Sequence, residues 1–238
     1  MQKILRKRIV RDFKANLPRY LALALLIVLS MYLVVSMIGA AETIIRGSEE
    51  ADEAQQVEDG EFSLFVPMKE SEFAELTEKG ITLEKMFFMD YSYEDNKTLR
   101  VFANREQINT VALKEGTLPV AEDEIVIERR FAEVNEIIPG DKIDLGGRSF
   151  TVSGIGTAPD YDNVMKSLGD TGCDSKNFGI AFVTADTYHN LEKEQKSTKS
   201  EEYYYAYRLN GKMTDDALKD KLEKLEFTSG DVEDPFFQ

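Results

Sequence analysis

Residues 21 to 41, LALALLIVLSMYLVVSMIGAA, carry no charge, and this constrains the chain more than any other feature. As an α-helix rising ~1.5 Å per residue the run is ~31 Å long, which matches a hydrocarbon core of ~30 Å. The twenty residues before it hold Lys3, Arg6, Lys7, Arg8, Arg11, Lys14 and Arg19 against one acid, Asp12. After it come Glu42, Glu49, Glu50, Asp52, Glu53, Glu58, Asp59 and Glu61, opposed only by Arg46. Basic flanks are retained in the cytoplasm, so the expected topology is one crossing with residues 48 to 238 outside the cell. That orientation sets aside most intracellular chemistry.

A cleaved secretory signal is the competing reading, and Gly39-Ala40-Ala41 supplies small residues that a peptidase accepts. Signals, however, have an apolar region of roughly 7 to 15 residues behind a short basic one. Both segments are longer here, which favours a retained anchor.

The formal charge of -15 conceals two opposed parts. Residues 1 to 20 sum to +6 and Glu42 cancels Arg46, leaving -21 on residues 48 to 238. So acidic a domain does not bind nucleic acid by neutralising phosphates. Its field attracts cationic peptides or metal ions, and it equally serves solubility. About 190 residues suffice for one or two packed modules, and 14 Phe and 10 Tyr provide core material. The single cysteine, Cys173, cannot form an internal bridge, so stability rests on packing. That usage fits a bacterial surface protein. The sequon Asn96-Lys97-Thr98 would matter only in a eukaryotic secretory route.

Along the chain, Leu5, Ile9, Phe13 and Leu17 recur every four residues among cations, the pattern of a basic amphipathic helix lying on the inner membrane surface over residues 1–17. Asn16-Leu17-Pro18 punctuates it, and the spanning helix is expected over 18–41, with Tyr20 at the headgroup level. Residues 42–60 read as an exposed stalk helix closed by Gly60. Residues 61–238 read as one extracytoplasmic α+β domain with a mixed sheet. Within it we expect a strand at 61–67, a helix from Ser71 to Lys79, and strands at 81–93 and 98–103 around a polar turn. A strand at 124–128 and a short helix at 129–134 follow. Next comes a hairpin whose strands, 142–145 and 148–155, are joined by Gly146-Gly147. Ile143, Leu145, Phe150 and Val152 alternate onto one face of that hairpin. Residues 157–177 form a long loop, 178–184 a strand, 185–194 a helix, 203–207 a strand, and Thr214 caps a helix over 215–225 with Leu218, Leu222 and Leu225 as its buried stripe.

Residues that carry chemistry are sparse. His189 stands alone and reads as solvent-facing or structural, since zinc needs more ligands. Cys173 has no base near it in sequence. Asp160-Tyr161-Asp162-Asn163 begins like a calcium loop, but Val164 and Met165 break the register, leaving a weak cation or turn motif. Gly154-Ile155-Gly156 is a lone GxG and no P-loop pattern occurs. In Tyr203-Tyr204-Tyr205-Ala206-Tyr207 alternate rings fall on opposite strand faces, one set expected in the core and the other exposed to a ligand or to solvent. No constellation supports catalysis, so the chain is expected not to be an enzyme, with no cofactor and no metal.

Five segments carry a resemblance: Leu113 to Pro119 (LKEGTLP), Glu122 to Ile127 (EDEIVI), Phe131-Ala132, Ile137 to Asp141 (IIPGD) and Phe150 to Ile155 (FTVSGI). They resemble the extracytoplasmic core domain of FtsX-like (MacB-type) ABC transporter permeases. Carried over, Gly116, Pro119, Glu124, Ala132, Gly140, Asp141, Gly154 and Ile155 match that family's pattern as turn and packing positions. The resemblance implies a membrane permease subunit that contacts substrate or partner outside the cell. It also implies a separate cytoplasmic ABC ATPase, membrane lipid around the span, a dimer of permease subunits or halves, and work by mechanical transmission. Permeases of this family continue into at least three more spanning helices, so the resemblance implies an N-terminal fragment of a longer permease or a truncated reading frame. The alternative classes are a single-pass surface sensor or adhesion module, and a secreted binding protein.

Overall fold

The computed structural model describes residues 11–94, 96–166, 169, 171–198 and 202–224. They divide into two units, one ending at Ala51 and the other beginning at Asp52. Residues 11–15 are helical, while the remainder of the amphipathic segment expected over 1–17 lies largely outside the described residues.

Helix α1, Leu17–Ala54, is 38 residues long, or ~57 Å. Pro18 sits in its first turn, where a missing N–H costs nothing. None of its residues is buried, and over its uncharged part, residues 21–41, it is apolar on every side rather than along one stripe. Two of its hydroxyls bond back within the helix: Ser30 Oγ donates to Leu26 O at 2.7 Å and Thr43 Oγ1 to Gly39 O at 2.8 Å. By length and composition it can cross a membrane. The stalk expected to stay helical to Gly60 does not. The helix stops at Ala54, Gln56 takes a left-handed φ of 54°, and Gly60 opens a strand instead. Gly60 serves there because a Cβ would lie 2.5 Å from the Tyr207 hydroxyl.

The second unit is α+β and holds two sheets. The smaller has β1 (Gly60–Leu64), β10 (Tyr203–Arg208) and β2 (Thr82–Lys85) in the order β1-β10-β2, all antiparallel. Helices α2 (Glu70–Glu78) and α5 (Asp215–Leu222) contribute Leu76 and Leu218 to a cluster with Ile81, Leu83 and Tyr205. Thr214 caps α5 as expected, accepting the Ala217 N–H at 3.3 Å. Leu222 packs half-buried, and Leu225 lies outside the described residues. The cap of α2 is Lys69 rather than Ser71, and the Glu72 carboxylate takes the Lys69 N–H at 3.0 Å.

The larger, mixed sheet is built from β3 (Phe88–Tyr93), β4 (Lys97–Ala103), β5 (Ala112–Gly116), β6 (Glu124–Glu128), β7 (Lys142–Leu145), β8 (Arg148–Thr157) and β9 (Phe178–Val183). Its order is β3-β4-β9-β6-β8-β5, with β7 pairing β8 as well. Strands β4/β9 and β6/β8 run parallel, the other pairs antiparallel. Central strand β9 is buried at all six residues because both faces are covered. One face, with Leu99, Val101, Ile125, Ile127 and Val183, packs on Phe131 and Ala132 of α3 (Arg129–Val134) and Leu191 of α4 (Ala185–Glu194). The other face presents Phe102, Val126, Phe178, Ile180 and Phe182 to Ala158 and Val164 of the loop after β8. The β7–β8 hairpin has the expected register, Ile143 opposite Phe150, with Ile143, Leu145, Phe150 and Val152 all in the core.

Three expectations change. The strand expected over 81–93 is broken at Met86-Phe87, and its two halves enter different sheets. Strand β5 was not anticipated because all five of its residues are exposed, leaving no alternation to read. The tyrosine strand β10 has no exposed face. Tyr203, Tyr205 and Tyr207 pack under α2 and α5, while Tyr204 and Ala206 pack against Met86 and Ile108. A central strand in a sheet covered on both sides leaves none of these rings free.

Candidate functional site

Residues 55–59, which follow α1 in the chain, are bonded on two sides. On one side Thr110 N–H donates to Gln55 O at 2.9 Å and Asn109 N–H to Gln56 O at 3.1 Å. The Glu58 N–H donates to Asn109 Oδ1 at 3.1 Å, and Asn109 Nδ2 donates to Glu58 Oε2 at 2.9 Å, closing a two-point clamp. On the other side Asp59 N–H donates to Tyr207 O at 2.9 Å, Leu209 N–H donates to Asp59 Oδ2 at 2.7 Å, and Arg208 bonds Gln56. The short segment thus joins the loop after β4 in the large sheet to β10 in the small one.

Two buried arginines organise the surroundings of that clamp. Arg105, just past β4, is 3% exposed, donates from Nη1 to Asp160 Oδ1 at 2.5 Å and to Asn109 O at 3.3 Å. Its Nε and Nη2 have no acceptor among the described residues. The guanidinium lies over the rings of Phe102 and Phe182, 4.8 and 5.2 Å from their centroids, where ring quadrupoles offset part of the desolvation. Arg100 on β4 makes a bidentate pair with Asp90, directly across on β3, at 2.8 and 3.2 Å. It also reaches the Tyr161 hydroxyl at 3.3 Å and stacks on Phe88 with its carbon 4.0 Å from the ring centre. The two arginines hold adjacent residues of the 3-10 turn Pro159–Tyr161. Asp160 is therefore an ion-pair partner in a turn. Among the described residues no group of three or more His, Cys, Asp or Glu is placed to hold a metal ion.

Three glutamates here are perturbed. Burial, then the facing Asp160 and Glu61, push Glu58 up from 4.5 to about 7, against the Asn109 hydrogen bond and Arg105. Glu61 is raised by partial burial and by Asp160. Glu84 on β2 is raised by burial although it takes the N–H groups of Glu106, Gln107 and Ile108 at 3.4, 2.8 and 3.2 Å. Burial and the hydrogen bond to Asp215 push Tyr207 up to about 12.

The positions carried by the sequence resemblance lie elsewhere, around β8. Gly116 (φ 77°) ends β5 opposite Gly154, and a Cβ on it would stand 2.1 Å from Ser153 O. Pro119 is buried in the following loop. Glu124 accepts the N–H groups of Val120 and Ala121 at 2.7 and 3.0 Å, which lowers its pKa. Ala132 and Ile155 enter the core, Gly140 (φ 99°) donates to Val152 O at 2.8 Å, and Asp141 takes the Ile138 N–H at 2.9 Å. Gly116, Gly140 and Gly154 thus shape backbone, and none of the eight touches the clamp through a hydrogen bond described above. A groove of about 200 Å³ is lined by Ala132, Ile137, Ile138 and Ile155 together with Lys114, Glu115, Glu133 and Glu136. His189 is exposed and pairs with Glu192 at 3.0 Å, and Cys173 is exposed.

Solved structures that resemble the fold include the following two. The chain is similar in structure to the periplasmic region of MacB from Actinobacillus actinomycetemcomitans, with a TM-score of 0.40 and 12% identity over 66% of this chain and 72% of that one. It is also similar to the extracellular domain of the noncanonic ABC-type transporter YknZ from Gram-positive bacteria, with a TM-score of 0.37 and 12% identity over 68% and 88% of the two chains. Neither a protein-family model nor a curated protein sequence matches it.

Proposed function

We propose that this chain is the N-terminal part of a membrane permease subunit of an ABC transporter complex. Its first helix spans the membrane, residues 48–238 lie outside the cell, and a separate cytoplasmic ATPase drives the external domain mechanically. The observation that carries this reading is α1 itself. Its 21-residue uncharged run has no buried residue, and ~20 Å further along the helix the same chain enters a segment bonded to both sheets of the α+β unit. An apolar helix exposed on every side needs lipid around it. A segment tied to two sheets passes a displacement of the incoming chain to both. The motif resemblance around β8 supplies the permease class, and with it the pairing of permease subunits or halves and contact with an extracytoplasmic substrate or partner. In this reading the external domain performs no chemistry of its own, and ATP is hydrolysed by the partner subunit.

The natural Cys173 makes the topology directly measurable, because it is the sole cysteine and is exposed. A membrane-impermeant maleimide added to intact cells, after outer-membrane removal where one exists, is expected to label the wild type and leave C173S unlabelled. Labelling only after lysis would overturn the external placement. Co-purification with an ATP-binding-cassette subunit from mild detergent is expected as well, and its consistent absence would remove the permease assignment while leaving the topology intact.

A further inference from the structure

Asn210-Gly211, just past β10, is the only Asn-Gly pair in the sequence. Glycine places no Cβ beside its own backbone nitrogen, so in a free chain that nitrogen readily attacks the carboxamide of the asparagine before it. The fold restrains the pair in two ways. Asn210 and Gly211 both have positive φ, 53° and 66°, and the Lys212 N–H donates to Leu209 O at 2.9 Å, which together define a type I′ turn. The carboxamide is held as well, because Asn210 Nδ2 donates to Gly80 O at 3.1 Å and to Thr82 Oγ1 at 2.9 Å. These bonds dock the turn on the loop after α2 and on the first residue of β2. Asn210 and Gly211 are nonetheless exposed, so water reaches both. Ring closure carries Cγ onto the Gly211 nitrogen, which turns the amide away from both acceptors and takes the Asn210 backbone out of the left-handed turn.

We propose that Asn210 is a site of spontaneous deamidation guarded by this docking: the reaction is suppressed while the turn sits on Gly80 and Thr82, and it runs when the turn lifts off. The inference goes beyond the transporter reading and stands without it, since it concerns only groups within the α+β unit. The Gly211 nitrogen, its proton taken by hydroxide, bonds to Asn210 Cγ. The Cγ–Nδ2 bond breaks, and ammonia leaves after gaining a proton from water. A second water opens the cyclic imide at either carbonyl, giving aspartate or isoaspartate. Either product adds a negative charge, and its carboxylate has no hydrogen to donate to Gly80 O. Isoaspartate also lengthens the main chain by one carbon, which breaks the turn. A modified molecule therefore cannot dock as before, and the modification accumulates with each opening of this corner of the small sheet. Two exposed hydrogen bonds, at the lower end of their usual net strength, slow the reaction about tenfold.

Peptide mass spectrometry on the full chain, held at mildly alkaline pH in detergent micelles or in urea, tests this. The mass gain of an amide-to-acid change is expected at Asn210, about tenfold faster in urea than in micelles. T82V keeps the shape of Thr82 and removes one acceptor. It should speed the reaction in micelles about threefold and leave the rate in urea unchanged. Hydrogen-exchange protection over β9, measured on the same samples, should match the wild type, which separates undocking of the turn from unfolding of the unit. G211A, compared in urea alone, should slow the reaction there, because the added methyl crowds the attacking nitrogen. Equal wild-type rates in micelles and in urea, a T82V rate in micelles equal to that of the wild type, or a G211A rate in urea equal to that of the wild type would each overturn the proposal.

Discussion

The Asp90–Arg100 pair offers the sharpest energetic test of how the large sheet is held together. Both side chains are nearly inaccessible, at 4% and 9% exposure, and face each other across β3 and β4. Removing one partner of such a pair typically costs about 3–5 kcal/mol, because the remaining charge keeps its desolvation penalty without its counter-ion. Here D90N leaves Arg100 with the Tyr161 hydroxyl, the Lys166 carbonyl and the rings of Phe88 and Phe178. Asn also retains one acceptor, so the loss should sit at the low end, about 2–3 kcal/mol. For a unit of this size that is a fall in Tm of about 4–12 °C. The double variant D90N/R100M removes the stranded charge and should be less destabilised than the sum of the single variants by about 2 kcal/mol. With no tryptophan in the chain, tyrosine fluorescence during thermal melts in detergent is the natural readout, and Tyr91 and Tyr161 flank the pair. A D90N variant within 0.5 kcal/mol of wild type, or strictly additive single losses, would refute the claim that this pair is desolvated and coupled.

Other expectations follow from single contacts. G179A places a Cβ 2.4 Å from the Phe131 ring and should cost about 1–3 kcal/mol in the same melts through overpacking. Glu128, 3% exposed, caps α3 by accepting the Arg130 and Phe131 N–H groups at 2.8 Å each. E128A should therefore cost about 2 kcal/mol, with loss of exchange protection concentrated in residues 129–134.

How much of this was legible in the sequence depended on whether a residue's neighbours revealed its surroundings. The β7–β8 hairpin could be read because Ile143, Leu145, Phe150 and Val152 alternate around Gly146-Gly147. The break at Met86-Phe87 could not, since no Gly or Pro marks it. Tyr204 escaped because alternation assigns faces but says nothing about what covers each face. Among the site residues, Arg100 carries one signal: it stands in Leu99-Arg100-Val101-Phe102, where apolar residues on both strand faces announce burial. Glu58 carried none. It is one of eight acids between Glu42 and Glu61, and only the fold, by bringing Asp160 and Asn109 to it across long loops, separates it from the other seven.

The split of residues 81–93 between two sheets has a consequence for how the chain is made. Strands β1 and β2 are synthesised first, yet the strand that pairs with both, β10, follows the entire large sheet: Gly60 pairs with Tyr207 and Thr82 with Arg208. The small sheet therefore cannot close during synthesis until the large sheet has emerged, and its pairings carry the longest loop-closure cost in the unit. Until then Phe62, Leu64 and Leu83 lack their tyrosine partners. A ribosome stalled before residue 203 would present them as a sticky, two-strand overhang for chaperones to guard.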